Sequence, residues 1–356
     1  MGRSAVSHSL RSFSLRCLAL LGPSLLLGLT ACAPSAPRPP LGAAPFHLAA
    51  LGDSFASGQG APNQNFSWWK PFWTPSWDDK RCNRSNHSPT AMAVQQLVKQ
   101  GYDVTLEPEA ALACSGASIE RGLLGPYNGP EPPPGAAPLP AQVDALKGLL
   151  SRSPATHVGA VTLSAGGNDI LFEYIVLMCI VSQDCSLSRP LIELRLGELP
   201  AALDALADAL ASTAIPANRI FVLEYPDPTR DSDDSYCDHE PVGDALGGIS
   251  RENAEWASSY VLPRLNSALC EAAKRNGWNY VDRIATRFDQ HGWCAKDNWI
   301  NTVNESLSHQ RHFRGGMHPD PEGYTAIGER LAAALKPLID GQTPPPVTSC
   351  PPVPQG

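Results

Sequence analysis
A serine, a histidine and a few turn residues rich in N–H donors are where this chain of 356 residues can do chemistry. Gly52-Asp53-Ser54 ends a short apolar run beginning at Phe46, and residues able to open a helix follow it. A serine at a strand-to-helix turn stands above the carboxyl edge of a parallel sheet, where open α/β folds build their sites. The N–H groups of the next turn point at any charge it carries. Ser54 therefore suits a nucleophile, although the plainer reading makes it the N-cap of the following helix. Val161 to Asp169 is a second apolar strand ending in Gly-Gly-Asn-Asp. There the glycines permit close backbone approach, and the Asn168 amide offers donors to a developing oxyanion. Between the two lies Ala113-Cys114-Ser115-Gly116-Ala117, whose Gly116 N–H is a further donor. Met317-His318-Pro319-Asp320-Pro321 precedes a helix in which Tyr324, Ile327, Leu331, Leu335 and Leu338 recur at helical spacing. Asp320 reads as its N-cap with Pro321 at the first helical position, which holds His318 on a stiff turn.

These types suit each other chemically. A serine hydroxyl is a poor nucleophile near neutral pH unless a base takes its proton, and histidine titrates in the right range. The tetrahedral intermediate then needs fixed donors, each worth on the order of 10²–10³ in rate. His87, His157, His239, His291, His309 and His312 stand at no comparable turn and read as surface or satisfied core residues.

The four blocks, in this order over residues 46 to 340, resemble the SGNH hydrolases, also called GDSL esterases and lipases. The resemblance implies Ser54 as nucleophile, with the Ser54 N–H, Gly116 and Asn168 as oxyanion donors and His318 as base. One position departs from the common pattern. Many members carry an acid three residues before the histidine, and here that position is Gly315. Resemblance to a dyad-bearing subgroup of extracellular esterases implies a main-chain carbonyl near Gly315 as acceptor for the imidazole. The alternative is a remote carboxylate such as Asp297. A neutral acceptor orients imidazole but stabilises imidazolium less than a carboxylate does.

Alternating patterns must position these residues. Strands are expected near 46–52, 103–107, 158–164, 219–225 and 278–282, and helices near 89–100, 139–150, 191–213, 250–276 and 321–339. Such alternation predicts a parallel sheet covered on both faces, a three-layer α/β/α sandwich of flavodoxin-like type as the resemblance also implies. Two insertions follow loops at the carboxyl edge. Phe66 to Trp77 holds four of the eight tryptophans, and Leu124 to Pro140 contains seven prolines and should form a stiff, irregular wall. Both are candidates to line an acyl-binding groove or present an apolar patch to lipid, unless the tryptophans merely anchor a loop.

The amino terminus decides the compartment. Arg3, Arg11 and Arg16 precede an apolar stretch, Cys17 to Leu29, too short for a confident membrane span and suited to a signal-peptide core. Leu29-Thr30-Ala31-Cys32 resembles a bacterial lipobox, which implies cleavage before Cys32 and its acylation; ordinary secretory cleavage is the alternative. The organisation expected is a leader over 1–31, a proline-rich tether over 32–45, one hydrolase domain over 46–341 and a proline-rich tail over 342–356. Loss of the three leader arginines takes the formal charge from −8 to −11, which disfavours nucleic acid as a partner. At 43% hydrophobic, the chain can bury a sizeable core, and a monomer is expected.

Of ten cysteines, Cys17 leaves with the leader and Cys32 takes the lipid, and an even remainder in an exported chain reads as disulfides. No cysteine or histidine group has metal-ligand spacing, so no metal and no cofactor are expected. Similarity to the extracellular esterases implies Cys82 with Cys114, Cys179 with Cys185 and Cys237 with Cys294. Cys270 and Cys350 pair only by subtraction. The function implied is a serine carboxylester hydrolase acting through an acyl-enzyme on an acyl ester or lipid, held at a membrane surface by its anchor. The alternatives are a polysaccharide O-deacetylase of the same fold and a non-catalytic envelope-binding lipoprotein.

Overall fold
The computed structural model describes residues 45–67, 70–152, 158–182, 184–238 and 248–353. Residues 1–44, where the leader, Cys32 and nearly all of the tether are expected, lie outside them, as do Trp68 and Trp69. Five strands make the sheet: β1 (Phe46–Gly52), β4 (Val104–Ala111), β5 (Val158–Ser164), β6 (Ile220–Leu223) and β7 (Asn279–Val281). They run parallel in the order β4-β1-β5-β6-β7. β5 is buried at every position, as a central parallel strand with both faces covered must be.

Helices cover both faces because parallel strands need right-handed crossovers. The chain leaves β1 toward β4 and leaves every later strand in the other direction, so α2 (Pro89–Lys99) falls on one face, where it packs on α9 (Pro321–Ile339). On the other face α5 (Arg189–Ala211) packs on α7 (Leu262–Asn276), and α3 (Gln142–Arg152) lies against β1 and β4. In α9 the predicted face is inside: Tyr324, Ile327, Leu331 and Leu335 are buried. Asp320 caps it by accepting from the Gly323 N–H at 2.8 Å, with Pro321 in the first turn. The reversal of direction leaves a crevice between the carboxyl ends of β1 and β5, the place where such sheets bind ligands.

The predicted strands and helices all occur, with two refinements. The helix expected near 250–276 is three pieces: α6 (Arg251–Trp256), a π-helical turn over Ala257–Val261 and α7. The tryptophan-rich insertion contains an antiparallel hairpin, β2 (Asn63–Ser67) with β3 (Lys70–Ser76), rather than a loop, and its inner side chains lie outside the described residues. Leu124 to Pro140 is irregular. Four disulfides, Cys82–Cys114, Cys179–Cys185, Cys237–Cys294 and Cys270–Cys350, close the loops and tie down the tail. They suit an exported protein in an oxidising compartment. Among the described residues no helix is long and apolar enough to cross a membrane, and no group of three or more His, Cys, Asp or Glu side chains is placed to hold a metal ion.

Candidate active site
Ser54 begins a single helical turn, α1 (Ser54–Ser57), directly after β1. The N-cap is not Ser54 but Asp53, whose carboxylate accepts from the Phe55 N–H at 3.0 Å. That frees the serine hydroxyl. Backbone packing forces the turn: Gly52 has φ +133°, and a Cβ there would stand 2.1 Å from the Ser164 carbonyl oxygen. Only glycine meets both demands. The Gln142 side chain clamps the same residue, accepting from Gly52 N–H at 2.7 Å and donating to its carbonyl at 2.9 Å.

Asp53 is the buried charge of the site. Besides Phe55 it accepts from the Ser164 hydroxyl at 3.0 Å and from the Tyr225 phenol, and it does not touch His318. Burial pushes its pKa up to about 6 against the pull of these donors. Burial and the neighbouring Asp53 push the Tyr225 phenol well above its usual range, so it stays a donor.

His318 approaches from the opposite side, on the turn before α9. Its Nε2 lies 2.7 Å from Ser54 Oγ, and its Nδ1 lies 3.0 Å from the Gly316 carbonyl oxygen. Because a carbonyl only accepts, Nδ1 carries the proton and Nε2 is left to receive the serine's. The expected Gly315 carbonyl is displaced by one residue: it accepts instead from the His318 main-chain N–H at 3.2 Å. The cause is local geometry, since a 3-10 turn over Phe313–Gly315 leaves the Gly316 carbonyl to face the ring. Asp297 is no substitute, lying on the surface beside His291. The turn is over-determined. Met317 holds φ +61°, unusual outside glycine, while Met317 N–H donates to Asn301 O at 2.8 Å and the Asn301 amide donates to His318 O at 3.0 Å. The imidazole is buried against Phe55 and Phe172, and this burial lowers its pKa to about 4 against the raising effect of the Gly316 carbonyl.

Gly116 and Asn168 line the same cleft as Ser54 and His318. Gly116 has φ +78°, and a Cβ would meet the Tyr127 hydroxyl at 2.4 Å. Tyr127, from the proline-rich wall, donates to the Ser115 carbonyl at 3.0 Å, and Cys82–Cys114 braces this loop from behind. One Asn168 Nδ2 hydrogen goes to the Ala117 carbonyl at 2.9 Å, which leaves the second directed elsewhere. Asp169 then binds the Ile119 N–H at 3.0 Å, locking the two loops together. A buried polar thread adds a tie: Ser115 Oγ donates to Gln59 Oε1, and Gln59 Nε2 donates to Gln310 Oε1, each at 2.7 Å. Sequence reading missed Asp53, Tyr225, Gln142 and Gln59. Asp53 alone had a signal, its place inside Gly-Asp-Ser.

Two cavities lie on either side of Phe172, which lines both. The polar one is lined by Ser54, Gly116, Asn168 and His318 together with Glu120, Arg121 and Arg314. The other is almost wholly apolar and runs from Phe55, Phe172 and Met317 inward between α4 (Phe172–Val181) and the π turn.

The family model of GDSL-like lipases and acylhydrolases matches residues 48–331, and the chain belongs to this family. Among solved structures it is similar to an extracellular lipase from Streptomyces rimosus, with 22% identity, a TM-score of 0.54 and coverage of 81% of this chain and 99% of that one. It is also similar to a phospholipase A1 from Streptomyces albidoflavus, with 21% identity, a TM-score of 0.52 and coverage of 82% and 98%. At these identities the likeness shows the fold, a three-layer α/β/α sandwich. No curated protein is matched by sequence. The chain is thus a serine esterase of the GDSL family, a carboxylic ester hydrolase acting on an ester or lipid substrate.

Proposed function
We propose that the protein hydrolyses long-chain acyl esters of lipids, with Ser54 as nucleophile and His318 as general base. The single observation that carries this is the 2.7 Å Ser54–His318 hydrogen bond, whose imidazole packs on Phe55 and Phe172, two residues that line an apolar cavity. The acyl chain enters that cavity, and the alcohol portion occupies the polar cleft. Ser54 Oγ attacks the ester carbonyl carbon as its proton passes to Nε2, and the oxyanion takes hydrogen bonds from the Ser54 N–H, the Gly116 N–H and Asn168 Nδ2. Collapse of the intermediate returns the proton from Nε2 to the leaving alkoxide. Water then attacks the acyl-Ser54 ester with the same proton path, releasing the fatty acid and restoring the serine. The Gly316 carbonyl holds the imidazole in the required tautomer throughout.

Hydrolysis of p-nitrophenyl esters from acetate to palmitate tests the acyl side. Each buried methylene is worth about 0.8 kcal/mol, so kcat/KM should climb with chain length until the cavity is full. Ile175→Trp, which fills the cavity wall, should move the preference toward short chains. A wild type that prefers acetate would instead favour the polysaccharide deacetylase.

The same reading makes the exported protein a lipoprotein anchored through Cys32, supported by the leader pattern and the proline-rich tether. Labelled palmitate should enter the wild type and not Cys32→Ser. An amino terminus at another residue would mean a soluble secreted enzyme.

A further inference from the structure
We propose that the outer face of α4, with the turn and helix beside it, seats the enzyme on a zwitterionic lipid–water interface. The inference rests on the reading that the apolar cavity takes an acyl chain. A surface helix ordinarily carries one apolar stripe, whereas α4 carries two. Phe172, Ile175, Val176 and Cys179, at helical spacing, turn inward and line the cavity. On the opposite side Leu177 and Val181 are 54% and 65% exposed, with Tyr174 one turn before them. Glu173 is the only charged residue of the ten.

The patch extends beyond this helix. Cys179–Cys185 fastens its last turn to Cys185–Ser188, where Leu187 is 76% exposed. Leu194 of α5 is 57% exposed, and its neighbour Arg195 lines the polar cleft together with Tyr174, which brings this part of α5 alongside α4. Apolar groups this large and this grouped mark an interaction surface rather than scattered exposure.

Position and charge identify what covers it. The patch is continuous with the substrate site, since Tyr174 belongs to the cleft holding Ser54 and the inward side of the same helix walls the cavity. A lipid surface laid on Leu177 and Val181 lies one helix away from the cavity and next to the cleft that Tyr174 lines with Ser54. Two arginines of α5 beside it are paired with carboxylates, Arg189 with Glu193 at 3.0 Å and Arg195 with Glu198 at 2.9 Å. The chain as a whole carries a formal charge of −8. An anionic surface would repel it, and a zwitterionic one would not. Binding then comes from buried apolar area, as for other interfacial helices.

The test compares full chains that carry Cys32→Ser in both arms, so that no acyl group adds affinity of its own. One arm adds Leu177→Glu and Val181→Glu, and a control adds Leu177→Met and Val181→Ile. Flotation with phosphatidylcholine vesicles should show binding lowered at least about tenfold by the glutamates and retained in the control, because each substitution places a charge in the apolar layer. Hydrolysis of a long-chain ester dispersed in those vesicles should fall in parallel, while turnover of dissolved p-nitrophenyl acetate stays within about twofold. Equal vesicle binding in the two arms would overturn the proposal. So would a concentration-dependent dimer that the glutamates abolish, which would make a second copy the occupant, and so would an equal loss of acetate turnover. If the patch binds vesicles but the wild type still prefers acetate, the docking surface stands and the long-chain reading fails.

Discussion

Two turns meet at the Ser54–His318 hydrogen bond, and they are built in opposite ways. The turn after β1 is organised around a buried carboxylate, Asp53, which gathers the Phe55 N–H, the Ser164 hydroxyl and the Tyr225 phenol. In the turn before α9 no carboxylate among the described residues hydrogen-bonds to the imidazole, which is held by the Gly316 carbonyl, and the Asn301 amide ties the turn. The Asp53 carboxylate thus holds the backbone beside Ser54 and makes no hydrogen bond to the imidazole. What differs is what orients each turn: a buried carboxylate in one, and in the other the Gly316 carbonyl at the imidazole with the Asn301 side chain holding the His318 carbonyl.

Removing either partner of the bond has the largest expected effect. Ser54→Ala and His318→Ala should each lower kcat by about 10⁴-fold or more, and the double variant should lose little beyond the singles because the pair acts as a unit. Additive losses would separate the two residues. Next comes the pH profile. With the imidazole pKa lowered to about 4, kcat/KM for a soluble short ester should fall only as pH drops through about 4, whereas an ordinary histidine would lose activity near 6.5.

Asp53→Asn probes the other turn. Its amide would turn an N–H donor toward Tyr225 in place of an acceptor, so a stability loss of about 1–3 kcal/mol is expected by chemical denaturation. The slope with pH should also change. Asp53 is raised from 3.8 to about 6 in the fold, so the native state holds its proton longer and stability falls as pH rises through that window. His318, lowered from 6.5 to about 4, acts in the reverse sense, stability rising as pH climbs from about 4 to 6.5. The two oppose each other between about 4 and 6, and Asp53→Asn should leave the histidine's rise uncovered. A pH–stability curve unchanged by the substitution would contradict this pairing.

The smallest expected effect is at Asp297. Since it stands on the surface beside His291, Asp297→Asn should leave kcat within about threefold of wild type, where loss of a true triad carboxylate costs about 10⁴.

That Ser54, Gly116, Asn168 and His318 share one cleft could be expected from the sequence because each sits at a break in a hydrophobic pattern, marked by glycine or proline. The positions of the five strands and the inward face of α9 were legible as hydrophobic patterns, whereas the sheet order was not. The acceptor for Nδ1 was legible only to within one residue, since any carbonyl of the Gly315-Gly316 pair fits the pattern and the 3-10 turn decides between them. Gln59 and Gln142 were hidden because a buried glutamine that satisfies a distant backbone leaves no periodic trace. The apolar cavity was hidden too. Its wall, α4, is apolar on both sides, so its sequence shows no amphipathic period, and the π turn opposite it interrupts what reads as one continuous helix.

Labelling with a long-chain p-nitrophenyl phosphonate, followed by intact-mass and peptide analysis, tests the central claim most directly. One phosphonyl group per chain is expected, on Ser54, with nitrophenol released in equal amount, and both should disappear in Ser54→Ala and slow sharply in His318→Ala. A label on any other residue, or equal labelling of Ser54→Ala, would contradict the assignment of Ser54 and His318 as the reacting pair.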